Sequence, residues 1–204
     1  MAVLPETQMQ YFDVEAKMWK PLSSLAPAAE AQEGYCAVTV GSKLYVAGFG
    51  SGKHSIYCYD IERDVWENVL LSGAKLIQLC SLGDYVYAIS VDWRQIPQRY
   101  SFTDSWWQHF AKVSLTNGNF YNSGATVFHA KLYVLYGKVI YTAGWCMQNA
   151  VFHCFDPVRN VWEEKASTCQ PQFGSSLFVV NDRLYVVGGF DYVSQRNVSI
   201  NINI

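Results

Sequence analysis

The chain is short of charge, of paired cysteines and of long apolar runs. Only 16% of its 204 residues are Asp, Glu, Lys or Arg, and 15 basic against 17 acidic side chains leave a formal charge of −2. Half of the residues are apolar, which excludes a disordered segment, since disorder needs low hydrophobicity and high charge. There is no net positive field to gather phosphate, which argues against a nucleic-acid binder working through a broad basic surface. The six cysteines (Cys36, Cys58, Cys80, Cys146, Cys154 and Cys169) include no C-x-x-C pair. A chain this large and apolar does not resemble a cystine-stapled secreted scaffold, so free, mostly buried thiols in a reducing compartment are expected. The sequon Asn197-Val198-Ser199 then has no use, because glycosylation needs secretion. The most apolar tract, Val139 to Phe152, is interrupted by Thr142, Gln148 and Asn149 and falls short of the ~18 residues that span a bilayer. The opening residues Met1 to Glu6 lack the basic and long apolar regions of a secretory signal. These absences predict a soluble, cytoplasmic protein of one domain or two small ones.

What is present is a repeat. Asp13 precedes Trp19 by six residues, and the same interval separates Asp60 from Trp66 and Asp156 from Trp162. A further copy runs from Ser101 to Trp107, with Ser in place of Asp. An aromatic residue stands just before each: Tyr11-Phe12, Tyr59, Tyr100 and Phe155. A second landmark, an apolar-Tyr-apolar triplet, centres on Tyr45, Tyr87, Tyr133 and Tyr185, at intervals of 42, 46 and 52 residues. The longest interval between tryptophans is accounted for by an insertion, Lys138 to Asn149. A period of about 40–50 residues built from short strand-like runs points to propeller blades.

Local signals agree. Runs such as Cys36–Val40, Leu177–Val180 and Leu184–Val187 are rich in β-branched and aromatic residues. Turn residues divide neighbouring runs at Gly41-Ser42-Lys43, Leu82-Gly83-Asp84, His129-Ala130-Lys131 and Asn181-Asp182-Arg183, so each reads as a tight hairpin. No segment keeps a 3.6-residue apolar period over helical length. One unit is then written as four strands, Cys36–Val40, Leu44–Gly48, Ile56–Asp60 and Val65–Val69. The fold class expected is all-β, a propeller of four-stranded blades. Its tryptophans are expected to be wedged between neighbouring blades, burying on the order of 150–250 Å² each. The aspartate is expected to close the third-to-fourth-strand turn through its backbone N–H groups.

These landmarks resemble the kelch motif: a glycine pair after the second strand, an aromatic-Asp at the end of the third, and Trp six residues later. The structural motif residues are Asp13, Trp19, Tyr45, Asp60, Trp66, Tyr87, Trp107, Tyr133, Asp156, Trp162, Tyr185, Gly188 and Gly189. The glycine pair survives only at Gly188-Gly189; Gly48-Phe49, Ser90-Val91 and Tyr136-Gly137 replace it elsewhere, which predicts altered turns there. The style is similar to the carboxy-terminal propeller of the Kelch-like family, whose BTB and BACK domains precede the propeller and whose members are substrate adaptors of cullin-RING ubiquitin ligases. Nothing resembling BTB or BACK occurs in these residues. The resemblance makes residues 1–204 one kelch-repeat domain, with a partial blade at 8–27, blades at 35–70, 76–112 and 124–166, and a partial blade at 175–204. That is about four blades' worth, against six in Kelch-like propellers. An incomplete propeller is expected, with a closed four-bladed ring as the alternative.

Catalytic constellations are weak. The stretch Ala47 to His54 fails as a phosphate loop: Ala47 stands where the first Gly should be, His54 replaces Ser/Thr, and a strand rather than a helix follows. The four histidines show no metal-ligand spacing. No enzyme activity, metal or other cofactor is expected. Binding through loops is the more economical reading, because loops on a rigid scaffold concentrate recognition residues. The second-to-third-strand loops carry Lys53, His54, Trp93, Arg94, Trp145, Tyr192 and Arg196. The fourth-to-first-strand loops carry Gln32, Tyr35, Lys75, Tyr121, Asn122, Gln172 and Phe173. Trp, Tyr and Arg dominate binding hot spots, and by the resemblance both sets line one partner-binding face, with Arg94 and Arg196 pairing to acidic groups. The expected partner is a protein or peptide, without nucleic acid or membrane, and a cullin ligase only through a BTB region. A cytoskeletal, actin-associated scaffold is the competing reading; a copper enzyme of the galactose-oxidase type is disfavoured because no ligand set can be assigned.

Overall fold

The computed structural model describes residues 10–22, 34–49, 55–69, 76–90, 97–114, 119–121, 124–142, 145–166, 174–191 and 196–197. Among them the regular structure is entirely β, nineteen strands with no helix. The chain divides into two compact units, Met1–Gly73 and Ala74–Ile204.

The first unit holds a hairpin, β1 (Gln10–Asp13) and β2 (Met18–Pro21), and a four-stranded antiparallel sheet, β3 (Gly34–Val40), β4 (Lys43–Phe49), β5 (Ser55–Asp60) and β6 (Val65–Val69). Strands are in chain order, each paired to the next, as short turns between alternating strand segments dictate. The second unit repeats this sheet in β7 (Leu76–Leu82), β8 (Tyr85–Ser90), β9 (Gln98–Ser101) and β10 (Trp106–His109). Next come β11 (Asn119–Tyr121), β12 (Ala125–Phe128), β13 (Lys131–Thr142), β14 (Trp145–Asp156) and β15 (Val161–Lys165). Two hairpins follow, β16 (Ser176–Val180) with β17 (Arg183–Val187), and β18 (Phe190–Asp191) with β19 (Arg196–Asn197).

The insertion 138–149, read as a second-to-third-strand loop, is instead strand at 138–142 and 145–149. β13 and β14 run in unbroken register from Leu132↔Phe155 to Thr142↔Trp145, and β11 and β12 pair with successive halves of β13. With Tyr136 in place of the first glycine of the pair, β13 continues through Gly137 to Thr142. At Gly188-Gly189, by contrast, both residues have positive φ, 71° and 112°, a path that glycine alone follows easily, and β17 ends at Val187.

The turns between first and second strands have two residues. Gly41 and Gly83 supply the positive φ in two of them, whereas His129-Ala130 and Asn181-Asp182 hold both central residues at positive φ, the signature of a type I′ hairpin.

In the second unit, sheets pack face to face. Cys80, Tyr87, Ile89 and Phe110 meet Ala125, Leu132, Val134, Tyr136 and Phe155 in one buried cluster. Leu135, Ala150 and Phe152 on the opposite face of β13–β14 meet Leu177, Leu184 and Val186 in the next. The first strands β7, β12 and β16 lie side by side. At Gly124 a Cβ would come within 2.4 Å of the Leu177 backbone nitrogen, so only glycine admits that approach. The β11–β15 sheet is therefore sandwiched by its neighbours, which is why β13 and β14 are apolar on both faces.

Candidate protein-binding face

The third-to-fourth-strand hairpin repeats to atomic detail. Asp60 Oδ1 accepts the backbone N–H groups of Glu62 and Arg63 at 3.1 and 3.0 Å, and Asp156 Oδ1 accepts those of Val158 and Arg159 at 3.0 and 3.1 Å. Asp13 accepts the N–H of Ala16 at 2.9 Å, and Ser101 Oγ that of Asp104 at 3.1 Å. The residue two before each tryptophan (Lys17, Asp64, Ser105, Asn160) has a positive φ. The motif's spacing is thus a four-residue turn that ends left-handed and sets the register. In that register Trp19, Trp66, Trp107 and Trp162 lie opposite Phe12, Tyr59, Tyr100 and Phe155, with ring centroids 4.9–5.4 Å apart.

Trp162 is the clearest inter-sheet wedge. Its indole Nε1 donates to the Ala111 carbonyl at 2.7 Å, while Ala111 N–H donates to Asn160 Oδ1 at 3.0 Å. Trp66 and Trp107 are also half-buried. Trp19 departs from the expectation: it is 65% exposed, because its hairpin β1–β2 is a two-stranded sheet and the face bearing Phe12 and Trp19 is open.

The motif tyrosines stand in the second strands, where Tyr45 and Tyr87 are buried and Tyr133 and Tyr185 half-buried. Their cross-strand partners are Cys58, Arg99 and Cys154 for the first three. Burial and the Cys154 contact push the Tyr133 phenol up to about 12. Cys58, Cys80 and Cys154 are buried and in no disulfide, and burial raises the Cys58 pKa. That disfavours the thiolate a nucleophile needs. His153 is buried between Tyr136 and Trp162, and burial lowers its pKa. Among the described residues no cluster of three or more His, Cys, Asp or Glu side chains is arranged to hold a metal, and no helix is long and apolar enough to cross a membrane.

Of the proposed partner-binding residues, Lys53, His54, Trp93, Arg94, Gln172 and Tyr192 lie outside the described residues, as do the supporting Gln32, Lys75, Asn122 and Phe173. Tyr35, Tyr121, Trp145 and Arg196 are placed by backbone. Tyr35 pairs with Gly48, Tyr121 with Gly137, Trp145 with Thr142 and Arg196 with Asp191. Trp145 is thereby corrected from loop to first residue of β14. Tyr35 and Trp145 sit at the end of their own sheets remote from the two-residue and Asp turns, Tyr121 pairs midway along β13, and Arg196 belongs to the separate β18–β19 pair.

A cleft that sequence reasoning missed lies in the first unit, at the turn end. It has a volume of about 450 Å³ and is lined by Tyr11, Pro21 and Leu22 of the β1–β2 segment and by Thr39, Leu44, Tyr59, Ile61 and Asp64 of the adjacent sheet. Tyr59 donates its hydroxyl to Asp64. That bond, with burial, pushes the phenol up to about 12, so it remains a neutral donor.

Repeated four-stranded sheets, Asp turns and an inter-sheet tryptophan make an all-β fold that resembles a kelch-type β-propeller. The solved structure of YjhT, a kelch-type propeller, superposes with a TM-score of 0.72 at 14% identity, covering 97% of this chain and 73% of that one. Kelch-like protein 23 of Homo sapiens is 24% identical over 179 residues, and that of Mus musculus 23%, covering 81% of this chain in both cases. The chain spans about 30% of the length of these curated relatives. No family model matches it.

Proposed function

We propose that the chain is a non-catalytic protein-recognition module of the cytoplasm, gripping a peptide or loop of its partner at the sheet end that carries the long connections. The observation that carries this reading is the separation of roles along each blade. The turn end is committed to Asp-turn hydrogen bonds and register, while the opposite end carries the strand positions of Tyr35 and Trp145. Lys53, His54, Trp93, Arg94, Gln172 and Tyr192 belong to the same connections in the sequence. The similarity to Kelch-like protein 23 and the kelch propeller fold support a protein-binding kelch module.

By the Kelch-like resemblance, the partner is a substrate of a cullin-RING ubiquitin ligase, and recruitment of the ligase belongs to a BTB region. Affinity capture with the wild-type chain against a Trp93→Ala, Arg94→Ala, Trp145→Ala, Arg196→Ala variant tests the face. A folded variant should lose at least tenfold in partner recovery, since hot-spot truncations cost about 2 kcal/mol or more each. Unchanged recovery would remove the assignment.

A further inference from the structure

We propose that the β7–β10 sheet carries a site for a carboxylate, with Arg99 as its cation and Tyr85 as its floor, and that an acidic side chain of a partner protein supplies the carboxylate. The argument is an exchange of charge between equivalent positions. The first residue of the second strand and the last of the third are Lys43 and Asp60 in β4–β5. In β13–β14 they are Lys131 and Asp156, whose ammonium and carboxylate lie 3.0 Å apart. In β8–β9 the same two positions hold Tyr85 and Ser101. Two residues further into each sheet, Tyr45 and Tyr133 face Cys58 and Cys154, whereas Tyr87 faces Arg99. This one sheet has exchanged a Lys–Asp pair and a thiol for an arginine without an acid.

Arg99 leans toward the exchanged pair. Its guanidinium carbon lies 4.2 Å from the Tyr85 ring centroid and 6.0 Å from that of Tyr87, and Nη1 donates to the Tyr87 hydroxyl at 3.4 Å. Nε is buried with no acceptor among the described residues, so the protein itself satisfies little of this cation. Asp104, the acid of the adjoining turn, accepts instead from Ser101 Oγ and Gln108 Nε2, at 2.9 and 2.8 Å. A guanidinium held on an aromatic ring is a preformed fork for a carboxylate. Trp106 stands across from Ser101 on the same face and is 59% exposed, which sets the small serine between two aromatic side chains, Tyr85 and Trp106. A free anion has no use for an exposed indole; a peptide does, since Trp and Arg together anchor protein contacts. All of these residues belong to one sheet. The site rests on the reading of the chain as a protein-binding module and adds a contact outside the connections named there.

The probe is an acetylated, amidated peptide of three Gly-Glu repeats, with three Gly-Gln repeats as its neutral counterpart. Titrated into the 204-residue chain, the acidic peptide should shift the Arg99 Nε–H and Trp106 indole NMR signals saturably, with a Kd on the order of millimolar or below. The neutral peptide should shift neither. Arg99→Gln should weaken binding at least tenfold, and Arg99→Lys, which keeps the charge but not the fork, should weaken it severalfold. No response to the acidic peptide, an equal response to the neutral one, or unchanged binding by folded Arg99→Gln overturns the proposal. So does saturation by inorganic phosphate without any response to the peptide, which would make the ligand a free anion. If Arg99→Gln does not fold, Arg99→Lys decides, and binding equal to wild type overturns the proposal. Peptide binding that persists when the Trp93, Arg94, Trp145 and Arg196 variant has lost its partner leaves this site standing. Partner capture by the wild-type chain without peptide binding removes this site alone.

Discussion

Trp19 and Trp162 occupy the same step of the same hairpin. Each follows an aspartate-anchored turn, each is preceded by a left-handed residue, and each faces an aromatic ring across the pair. Yet Trp162 is bonded to Ala111 and packed against Phe110 and Phe155, while Trp19 touches Phe12 and is otherwise largely exposed. The difference teaches that the motif encodes a turn and a register, which are local, and that burial is conferred by the neighbouring sheet, which is not.

Truncation should separate these contributions most sharply. Trp162→Ala removes a packed indole and orphans the Ala111 carbonyl, and should cost roughly 3 kcal/mol in urea unfolding. Trp19→Ala in dilute solution should cost under about 1 kcal/mol. Equal losses would mean that the two copies are buried alike. The next effect is in the turn itself. Asp60→Ala strips two N–H groups of their acceptor and should cost about 1–2 kcal/mol, whereas Asp60→Asn, which keeps the acceptor oxygen, should recover most of it.

The buried copy also carries a pH dependence that the exposed one lacks. His153 faces Glu164 across the strand pair and rings of Tyr136 and Trp162, and burial lowers its pKa below the ordinary 6.5. The unfolded chain then binds the proton more readily than the folded one. Stability is full above pH 6.5 and falls as pH drops from there toward the folded value. Melting temperature against pH should show that decline, and His153→Gln should flatten it. The smallest effect contrasts two type I′ turns: Ala130→Gly relieves a positive φ that Ala tolerates poorly and should stabilise by about 0.5–1 kcal/mol. Asn181→Gly in the other turn should do less, since Asn accepts that conformation.

Much of the scaffold was legible because its signals are local. The Asp-to-Trp spacing of six is a four-residue turn followed by the first two residues of the fourth strand, and the Gly188-Gly189 pair announces a backbone path open to few other residues. The all-β class and the hairpins at Gly41, Gly83, His129 and Asn181 follow from the same short-range chemistry. The extended hairpin of β13–β14 was less legible. Residues 138–149 contain Lys138, Gln148 and Asn149, which look like loop residues until the pairing of Val139 with Gln148 and of Lys138 with Asn149 shows where they stand. Of the candidate face, strand positions for Tyr35, Tyr121, Trp145 and Arg196 emerge only from pairing, because composition can nominate an aromatic or an arginine but cannot say which end of a sheet holds it.

By itself the chain's order of residues determined the strands, the turns and the period, since each depends on side chains a few positions apart and on which φ values they allow. Only the tertiary structure decided which tryptophan is held and that a cleft forms beside Tyr59. Those outcomes depend on contacts between segments about fifty residues apart, as from Ala111 to Trp162, and a repeating motif carries the same local instruction whether or not a neighbour stands beside it.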